Sequence, residues 1–164
     1  MPSLNEIKKM ATANPHGMGV ATSGGLFFKT LNFDAFIEKI AQISTDESAI
    51  FHFRFATHGS VCRQNCHPFF DKKTGVYFMH NGVLPIESID NKTDSEMAFR
   101  QILVPKIEKY GLFSDEHIHC AVQLAAGRNR FAFLQGDELL TIGRFYERNG
   151  LLFSNLNFEN YYFS

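Results

Sequence analysis

The stretch AIFHFRFATHGSVCRQNCHPFF, residues 49–70, holds the clearest strand signal in the chain and most of its reactive side chains. Apolar and polar residues alternate over its first eight positions, and successive side chains of a β-strand point to opposite faces. Phe51, Phe53 and Phe55 therefore share one face, whereas His52 and Arg54 share the other. The pattern predicts a strand with one face in the core and one polar face.

The remaining sequence predicts short helices and strands without the βαβ rhythm of a parallel sheet. Helices are indicated by apolar residues spaced three or four apart and by capping residues, strands by alternation and turn residues. We predict an α+β fold in which two antiparallel sheets pack face to face under helices. The predicted elements are a helix over 3–13, a hairpin turning at 23–25, a helix over 32–43, a strand over 75–84, a helix over 93–110 that Pro105 kinks or splits, a helix over 114–125, a hairpin turning at 136–137 and a strand over 150–158.

Composition and charge argue against several classes of protein. The length of 164 residues predicts one domain over 1–164, and the formal net charge of −1 lacks the basic footprint of a protein that binds nucleic acid. No apolar run approaches the roughly 20 residues of a transmembrane helix, so we predict no membrane partner. Three cysteines are an odd number without framework spacing, which favours a reducing compartment and a cytoplasmic location.

The cysteines and histidines of the quoted stretch allow several interpretations. Cys62, Cys66 and His67 are soft ligands close together, but a second pair of zinc ligands at a distance is missing. Each of the three cysteines, including Cys120, has a histidine nearby in sequence, yet a catalytic pair has to meet in space. Free cysteines are commonly small buried apolar residues. We therefore expect neither a metal nor an organic cofactor.

A substrate cradle is the third interpretation. Arg54 on a polar strand face is either a structural ion pair or a fork for a carboxylate. Asn81 and Gly82 end the strand over 75–84, where they form either an ordinary hairpin turn or a donor pair for an oxyanion. Asp94 opens a helix, where capping alone explains it well. Together these residues would suit a zwitterionic amino acid with a reactive carbonyl group.

Four motifs in order resemble the class II glutamine amidotransferases, a family of N-terminal-nucleophile hydrolases. The segments are NPHGMGVA at 14–21, RFATHGSVCRQNCHPF at 54–69, HNGVL at 80–84 and TDSE at 93–96. They extend over more than half of the chain. The resemblance implies an αββα sandwich of two antiparallel sheets and the hydrolysis of glutamine to glutamate and ammonia through a glutamyl thioester.

The resemblance also assigns roles to residues of this chain. Glutamine would be the ligand. Because 164 residues leave no room for a synthase domain, either a separate synthase chain would accept the ammonia or the protein is only a glutaminase. The implied roles are the substrate α-carboxylate for Arg54, the glutamine pocket for Thr57, His58 and Gly59, the oxyanion hole for the Asn81 side chain and the Gly82 N–H, the α-amino group for Asp94, and the loop that shapes the site for Asn65, His67 and Pro68.

Two positions depart from the family pattern. His16 stands where the first motif carries an aspartate, and the family's N-terminal cysteine is missing, since the chain begins Met1-Pro2-Ser3. That cysteine is the nucleophile, and its own α-amine is the base. One explanation is a native start roughly 10–15 residues upstream, on a strand that carries the cysteine; the intact cradle motifs favour it. The alternative is an inactive domain that binds glutamine or a related amino acid, or regulates a partner.

Overall fold

The computed structural model describes residues 1–57 and 59–161. In that part of the chain the strands and helices alternate in short runs, as the sequence predicts. The same part of the chain also contains 3₁₀ turns at Arg63–Asn65 and Asn157–Asn160 and a π-helical segment at Phe99–Leu103. The elements are α1 Leu4–Ala13, β1 Met18–Thr22, β2 Phe27–Thr30, α2 Phe33–Ile40, β3 Ala49–Phe53, β4 Phe69–Asp71, β5 Val76–Asn81, α3 Asp94–Ala98, α4 Val104–Tyr110, α5 Asp115–Leu124, β6 Arg130–Gln135, β7 Glu138–Ile142, β8 Tyr146–Arg148 and β9 Leu151–Phe153.

Two antiparallel sheets form the centre of the fold. The first has the strand order β2-β1-β3, and the second has the order β4-β5-β6-β7. A small apolar cluster joins them, in which Ala21 and Ile50 of the first sheet pack against Met79 and Leu134 of the second. The prediction of two antiparallel sheets packed face to face is confirmed.

Helices cover the outer face of each sheet. On the first sheet, Ile7 of α1 and Phe36 of α2 pack with Val20 of β1 in one apolar cluster. On the second sheet, α3, α4 and α5 cover a core in which the rings of Phe78 and Phe99 stack with centroids 5.0 Å apart. The layers therefore run helix, sheet, sheet, helix, and the predicted αββα sandwich is confirmed.

The strand predicted around Arg54 is shorter than expected. It ends at Phe53, and Phe55 is 61% exposed, so the prediction that Phe55 shares the core face is wrong. The backbone of Arg54 instead bonds to the loop before β1, and the ring of Phe55 lies against that of His16, with centroids 5.1 Å apart. The polar face of β3 is not solvent-facing either, because His52 packs against the buried ring of His67.

The predicted helix over 93–110 is helical from Asp94 to Tyr110, but it is not regular throughout. The π-helical segment Phe99–Leu103 lies immediately before α4, and Pro105 is near the first residue of α4. Proline lacks an N–H group and its ring clashes with the preceding turn of an α-helix. The interruption that Pro105 predicts therefore takes the form of a wider helical turn.

The end of the chain differs from the prediction. The strand predicted over 150–158 stops at Phe153, and a 3₁₀ turn follows, because both Phe153 and Phe158 pack into the core beside α1. A further strand, β8, pairs with β9 and was missed. Asn149 and Gly150 connect the two strands with φ of 52° and 72°. An Asn-Gly pair is the residue choice that such a tight hairpin favours, so the signal was present in the sequence.

Candidate functional site

A cavity of about 870 Å³ opens between the two sheets beside β3, which is an edge strand of the first sheet. Its walls come from β3, from the ends of β5, β6 and β7, and from the β8–β9 hairpin. Six of the residues that the sequence singles out line it: Arg54, Thr57, His67, Asn81, Gly82 and Asp94. Gly59, Asn65 and Pro68 lie behind the wall, and His58 lies outside the described residues.

Both backbone polar groups of Arg54 are hydrogen-bonded to the loop before β1. Its N–H donates to the Gly17 carbonyl at 2.8 Å, and its carbonyl accepts from the His16 N–H at 3.0 Å. The side chain is 3% exposed, and its Nη1 donates to the Ser60 carbonyl at 2.9 Å. A guanidinium group carries five N–H donors in a rigid fork. A buried cation with a fixed backbone therefore faces the cavity.

The loop after Arg54 is held together at the Ser60 carbonyl, which also accepts from Arg54. Asn65 is buried, and its Nδ2 donates to the Ser60 carbonyl at 3.0 Å, so Asn65 and Arg54 share one acceptor. Gly59 has φ of 72°, and a Cβ there would lie 3.0 Å from the Asn65 Nδ2 and 3.4 Å from the Thr93 methyl group. Gly59 and Asn65 thus support the loop from behind, while Thr57 is exposed at the cavity.

Asn81 and Gly82 lie at the end of β5. The Asn81 Nδ2 donates to the Ser154 hydroxyl at 2.7 Å, which uses one of its two hydrogens. Gly82 has φ of 139°, a backbone conformation that residues with a Cβ rarely adopt. A Cβ at Gly82 would overlap with the Asn129 Oδ1. The turn therefore requires glycine, and Ser154 and Asn129 contact it from the neighbouring elements.

The side chain of Asp94, the first residue of α3, is hydrogen-bonded to the loop that follows Gly82. Thr93 is the N-cap residue of α3, and its hydroxyl accepts from the Glu96 N–H at 3.1 Å, so capping does not explain Asp94. Asp94 is 5% exposed; its carboxylate accepts from the Leu84 N–H at 2.7 Å and from the Ser95 N–H at 2.8 Å, and the Ser95 Oγ lies 3.3 Å from its Oδ1. A carboxylate offers about four acceptor positions, so these bonds leave room for an ammonium group.

Three histidines are packed together beside these groups. His52 and His67 lie with ring centroids 4.1 Å apart, and the His52 Nε2 lies 3.1 Å from the His80 carbonyl. Burial lowers the pKa of His52 from 6.5 to about 4 and lowers the pKa of His67 well below 6.5. Both ring nitrogens of His67 are buried without a hydrogen-bond partner in the described part of the chain. The cluster is therefore neutral at pH 7.

These shifts predict that the protein loses stability in mild acid. The folded state keeps His52 neutral, whereas the unfolded chain binds a proton there below pH 6.5. The unfolded state therefore holds more protons between about pH 6.5 and pH 4, and stability falls as the pH falls through that window. We expect the free energy of unfolding to drop by roughly 1–2 kcal/mol between pH 7 and pH 5 on account of His52 alone.

Urea denaturation at both pH values measures this loss. A His52→Asn variant serves as the comparison, because an amide of similar shape does not titrate in this range. We expect the variant to lose less stability than the wild type on acidification. Equal losses in the two proteins would show that His52 does not titrate as its burial implies.

The cysteines do not gather into a metal site. The Ser60 hydroxyl donates to the half-buried Cys62 thiol and lowers its pKa, whereas burial raises the pKa of Cys66. Within residues 1–57 and 59–161 no group of three or more His, Cys, Asp or Glu side chains is arranged to hold a metal ion. All three cysteines are free, and Cys120 lies on the outer helix α5. Cys62, Cys66 and Cys120 are absent from the lining of the cavity.

His16, which stands where the first motif carries an aspartate, makes two hydrogen bonds to the backbone after β3. Its Nδ1 accepts from the Ala56 N–H at 2.9 Å, and its own N–H donates to the Arg54 carbonyl. An imidazole nitrogen acts here as the acceptor that a carboxylate oxygen would provide. His16 therefore ties the loop before β1 to the segment that follows β3.

Two polar residues of the site, Ser154 and Asn129, carry no local signal in the sequence and contact the Asn81-Gly82 turn from distant parts of the chain. These contacts are made by elements far apart in sequence. Ser95, which bonds to His80, lies in the TDSE motif. His80 was within reach of sequence analysis, because it immediately precedes Asn81 in the HNGVL motif.

The cavity wall combines three complementary groups: a buried cation at Arg54, a buried carboxylate at Asp94 and amide donors at Asn81 and Gly82. A cation and a carboxylate in one cavity can pair with the two charges of a zwitterion, and amide donors can hydrogen-bond to a carbonyl oxygen. The sequence model of the class II glutamine amidotransferases matches residues 35–143, which is more than half of the chain. The chain belongs to the class II glutamine amidotransferase family.

The match covers the segments that contain Arg54, Asn81, Gly82 and Asp94. No curated protein matches the chain significantly. Among the described residues, no helix has the length and apolar character needed to cross a bilayer.

Proposed function

We propose that this domain binds L-glutamine in the cavity between the sheets and serves in its hydrolysis to glutamate and ammonia. The observation that carries the proposal is the pairing of a buried cation and a buried carboxylate on one cavity wall. Arg54 would hold the α-carboxylate through a charge-assisted fork, and Asp94 would accept from the α-ammonium group. Thr57 and His67, which line the cavity, would contact the side chain between them.

Hydrolysis needs a thiolate that attacks the side-chain carbonyl carbon of glutamine. The carbonyl oxygen would then become an oxyanion, which the Asn81 amide and the Gly82 N–H would stabilise by hydrogen bonds. An adjacent amine would pass the thiol proton to the leaving nitrogen, so that ammonia departs and a thioester remains. Attack of water on the thioester then releases glutamate and regenerates the thiol.

The part of the cavity that runs along β3 offers space for a segment that carries that nucleophile. β3 has no strand on its outer side among the described residues, and the cavity continues along it past Phe51 and Phe53. An edge strand presents unpaired N–H and C=O groups to which another extended segment can add. We propose that an N-terminal cysteine on such a segment lies against Asn81 and Gly82.

An extended chain tests this proposal. Roughly 10–15 residues that begin with cysteine and can form a strand are added before Pro2, and glutamate release from L-glutamine is measured. We expect turnover with the N-terminal cysteine. The matched variant has serine at the first position, and we expect its rate to be lower by at least about 100-fold, because a serine hydroxyl is a far weaker nucleophile at neutral pH. Equal, background rates in the two folded proteins would contradict the proposed hydrolysis.

Ammonia released in this way would pass to an acceptor. We propose a separate synthase chain as the partner, and co-purification of the protein from its native host tests this. We also place the protein in the cytoplasm, because its three cysteines are free. Recovery without a synthase, and glutaminase activity of the domain alone, would favour a simple amidohydrolase.

A second candidate is a domain that binds glutamine without turnover, as a sensor or a regulator of a partner. It is favoured by the positions of Cys62, Cys66 and Cys120, none of which lines the cavity. For the polypeptide that begins at Met1, we expect thermal stabilisation by millimolar L-glutamine without glutamate release. An unchanged melting temperature would count against binding by this polypeptide.

A further inference from the structure

A hydrogen-bonded network lies behind the Asn81-Gly82 turn. Asn129 precedes β6, and its Nδ2 donates to the Ala126 carbonyl at 3.0 Å. This bond fixes the orientation of the amide, so that the Asn129 Oδ1 faces the His80 Nε2 at 2.9 Å. A side-chain carbonyl oxygen can only accept, and the His80 Nε2 therefore carries the proton.

The tautomer of His80 determines the direction of the next bond. With a proton on Nε2 in the neutral ring, the His80 Nδ1 is an acceptor, so the one hydrogen of the Ser95 hydroxyl goes to His80 at 2.8 Å and not to the Asp94 Oδ1 at 3.3 Å. The backbone N–H of Ser95 donates to the Asp94 Oδ1 at 2.8 Å. The network thus runs from Asn129 through His80 and Ser95 to the carboxylate on the cavity wall.

Gly82 lies in contact with the same network. A Cβ on Gly82 would overlap with the Asn129 Oδ1 and would lie 3.0 Å from the His80 Nε2. Asn129 and His80 thus leave the Gly82 backbone no space on that side. Gly82 adopts a φ of 139°, and a glycine is free to leave this conformation because it has no Cβ. The contacts with Asn129 and His80 therefore restrict the backbone conformation of Gly82.

We propose that Asn129 is a positioning residue that, through the Nε2-protonated tautomer of His80, fixes the backbone conformation of Gly82 at the edge of the cavity. The inference rests on the proposed function, in which the Gly82 N–H stabilises the oxyanion. The Asp94 carboxylate is also held by the backbone N–H groups of Leu84 and Ser95, so loss of the Asn129 bond should act on Gly82 and not on the acceptor for the α-ammonium group. Asn129 itself does not line the cavity.

The first test measures the network in the protein as it is, by NMR. In the wild type we expect the ¹⁵N shifts of His80 to show a protonated Nε2 and an unprotonated Nδ1. Asn129→Ala should remove this preference and speed amide hydrogen exchange at Gly82 by about 10-fold or more. Asn129→Asp keeps an acceptor at the same place, so it should preserve the tautomer and raise the pKa of His80. Asn5→Ala, on the exposed face of α1, is the matched amide truncation and should change neither signal.

The second test uses the extended chain with an N-terminal cysteine. Asn129→Ala should lower kcat by about 10-fold or more and leave KM within about twofold, because the Gly82 N–H acts on the oxyanion and not on bound glutamine. Asn129→Asp should restore part of kcat. A purely structural role would instead lower the melting temperature and leave kcat of the folded fraction unchanged.

The two tests separate the possible failures. An unchanged His80 tautomer and unchanged Gly82 exchange in Asn129→Ala would overturn the positioning role, whatever the activity. A raised KM with constant kcat would also overturn it. An inactive extended parent would count against the proposed hydrolysis, and the NMR result would then decide by itself whether Asn129 positions Gly82.

Discussion

Replacing Arg54 with alanine is expected to weaken L-glutamine binding by about 100-fold, which corresponds to about 2.7 kcal/mol. Arg54 is 3% exposed and lines the cavity, so it would meet a carboxylate away from bulk water. Hydrogen bonds to charged groups contribute about 1.5–3 kcal/mol, and a bidentate fork adds geometric specificity. Titration calorimetry of both proteins with L-glutamine measures the difference.

Two further variants make this test specific. Arg54→Lys keeps the charge but not the fork, and we expect it to recover only part of the affinity. Arg63→Ala removes an exposed arginine from the same loop region and should leave the affinity unchanged. Circular dichroism establishes that each variant is folded. Unaltered affinity in folded Arg54→Ala, or an equal loss in Arg63→Ala, would contradict the role of Arg54.

Replacing Gly19 with alanine is expected to cost about 3 kcal/mol or more in the free energy of unfolding. Gly19 lies in β1 between Lys29 of β2 and His52 of β3. A Cβ there would overlap with the His67 carbonyl oxygen and lie 3.1 Å from the Pro68 Cδ. Both contacts belong to the backbone or ring of the segment that crosses between the sheets, so neither can move aside cheaply.

Gly24→Ala is the matched control for Gly19→Ala. A Cβ on Gly24 would lie 2.5 Å from the Glu47 carboxylate, which is the end of a flexible side chain and can rotate away. We expect a loss within about 1 kcal/mol for the control. Chemical denaturation measures both. A loss at Gly19 as small as that at Gly24 would show that the segment around His67 and Pro68 adapts to an added methyl group.

Much of the fold follows from local sequence. Phe51 and Phe53 alternate with polar residues and do form a strand, and Ser3 with Glu6 forms the capping box that begins α1. The spacing of Phe36 and Ile40 predicts the buried face of α2. Each of these signals depends on residues within one turn or one strand, which is why sequence alone contains it.

The rest depends on contacts between distant segments. Phe55 continues the alternating pattern but is exposed, because the Arg54 backbone bonds to residues 16 and 17 and the strand ends. Motif order pointed to Arg54, Asn81, Gly82 and Asp94 as site residues, and they do line one cavity. Their supports at Ser154 and Asn129 could not be predicted, since no spacing relates them to the turn they contact.

The most direct test of the glutamine cradle is an NMR titration of the ¹⁵N-labelled protein with L-glutamine, with D-glutamine as the control. We predict saturable shifts of the backbone amides of Asn81, Gly82 and Ser95, and much smaller shifts with the D-enantiomer. These amides lie at the proposed oxyanion donors and beside the Asp94 carboxylate. Absence of shifts at tens of millimolar L-glutamine, or saturable shifts confined to other parts of the molecule, would contradict the assignment of this cavity to glutamine.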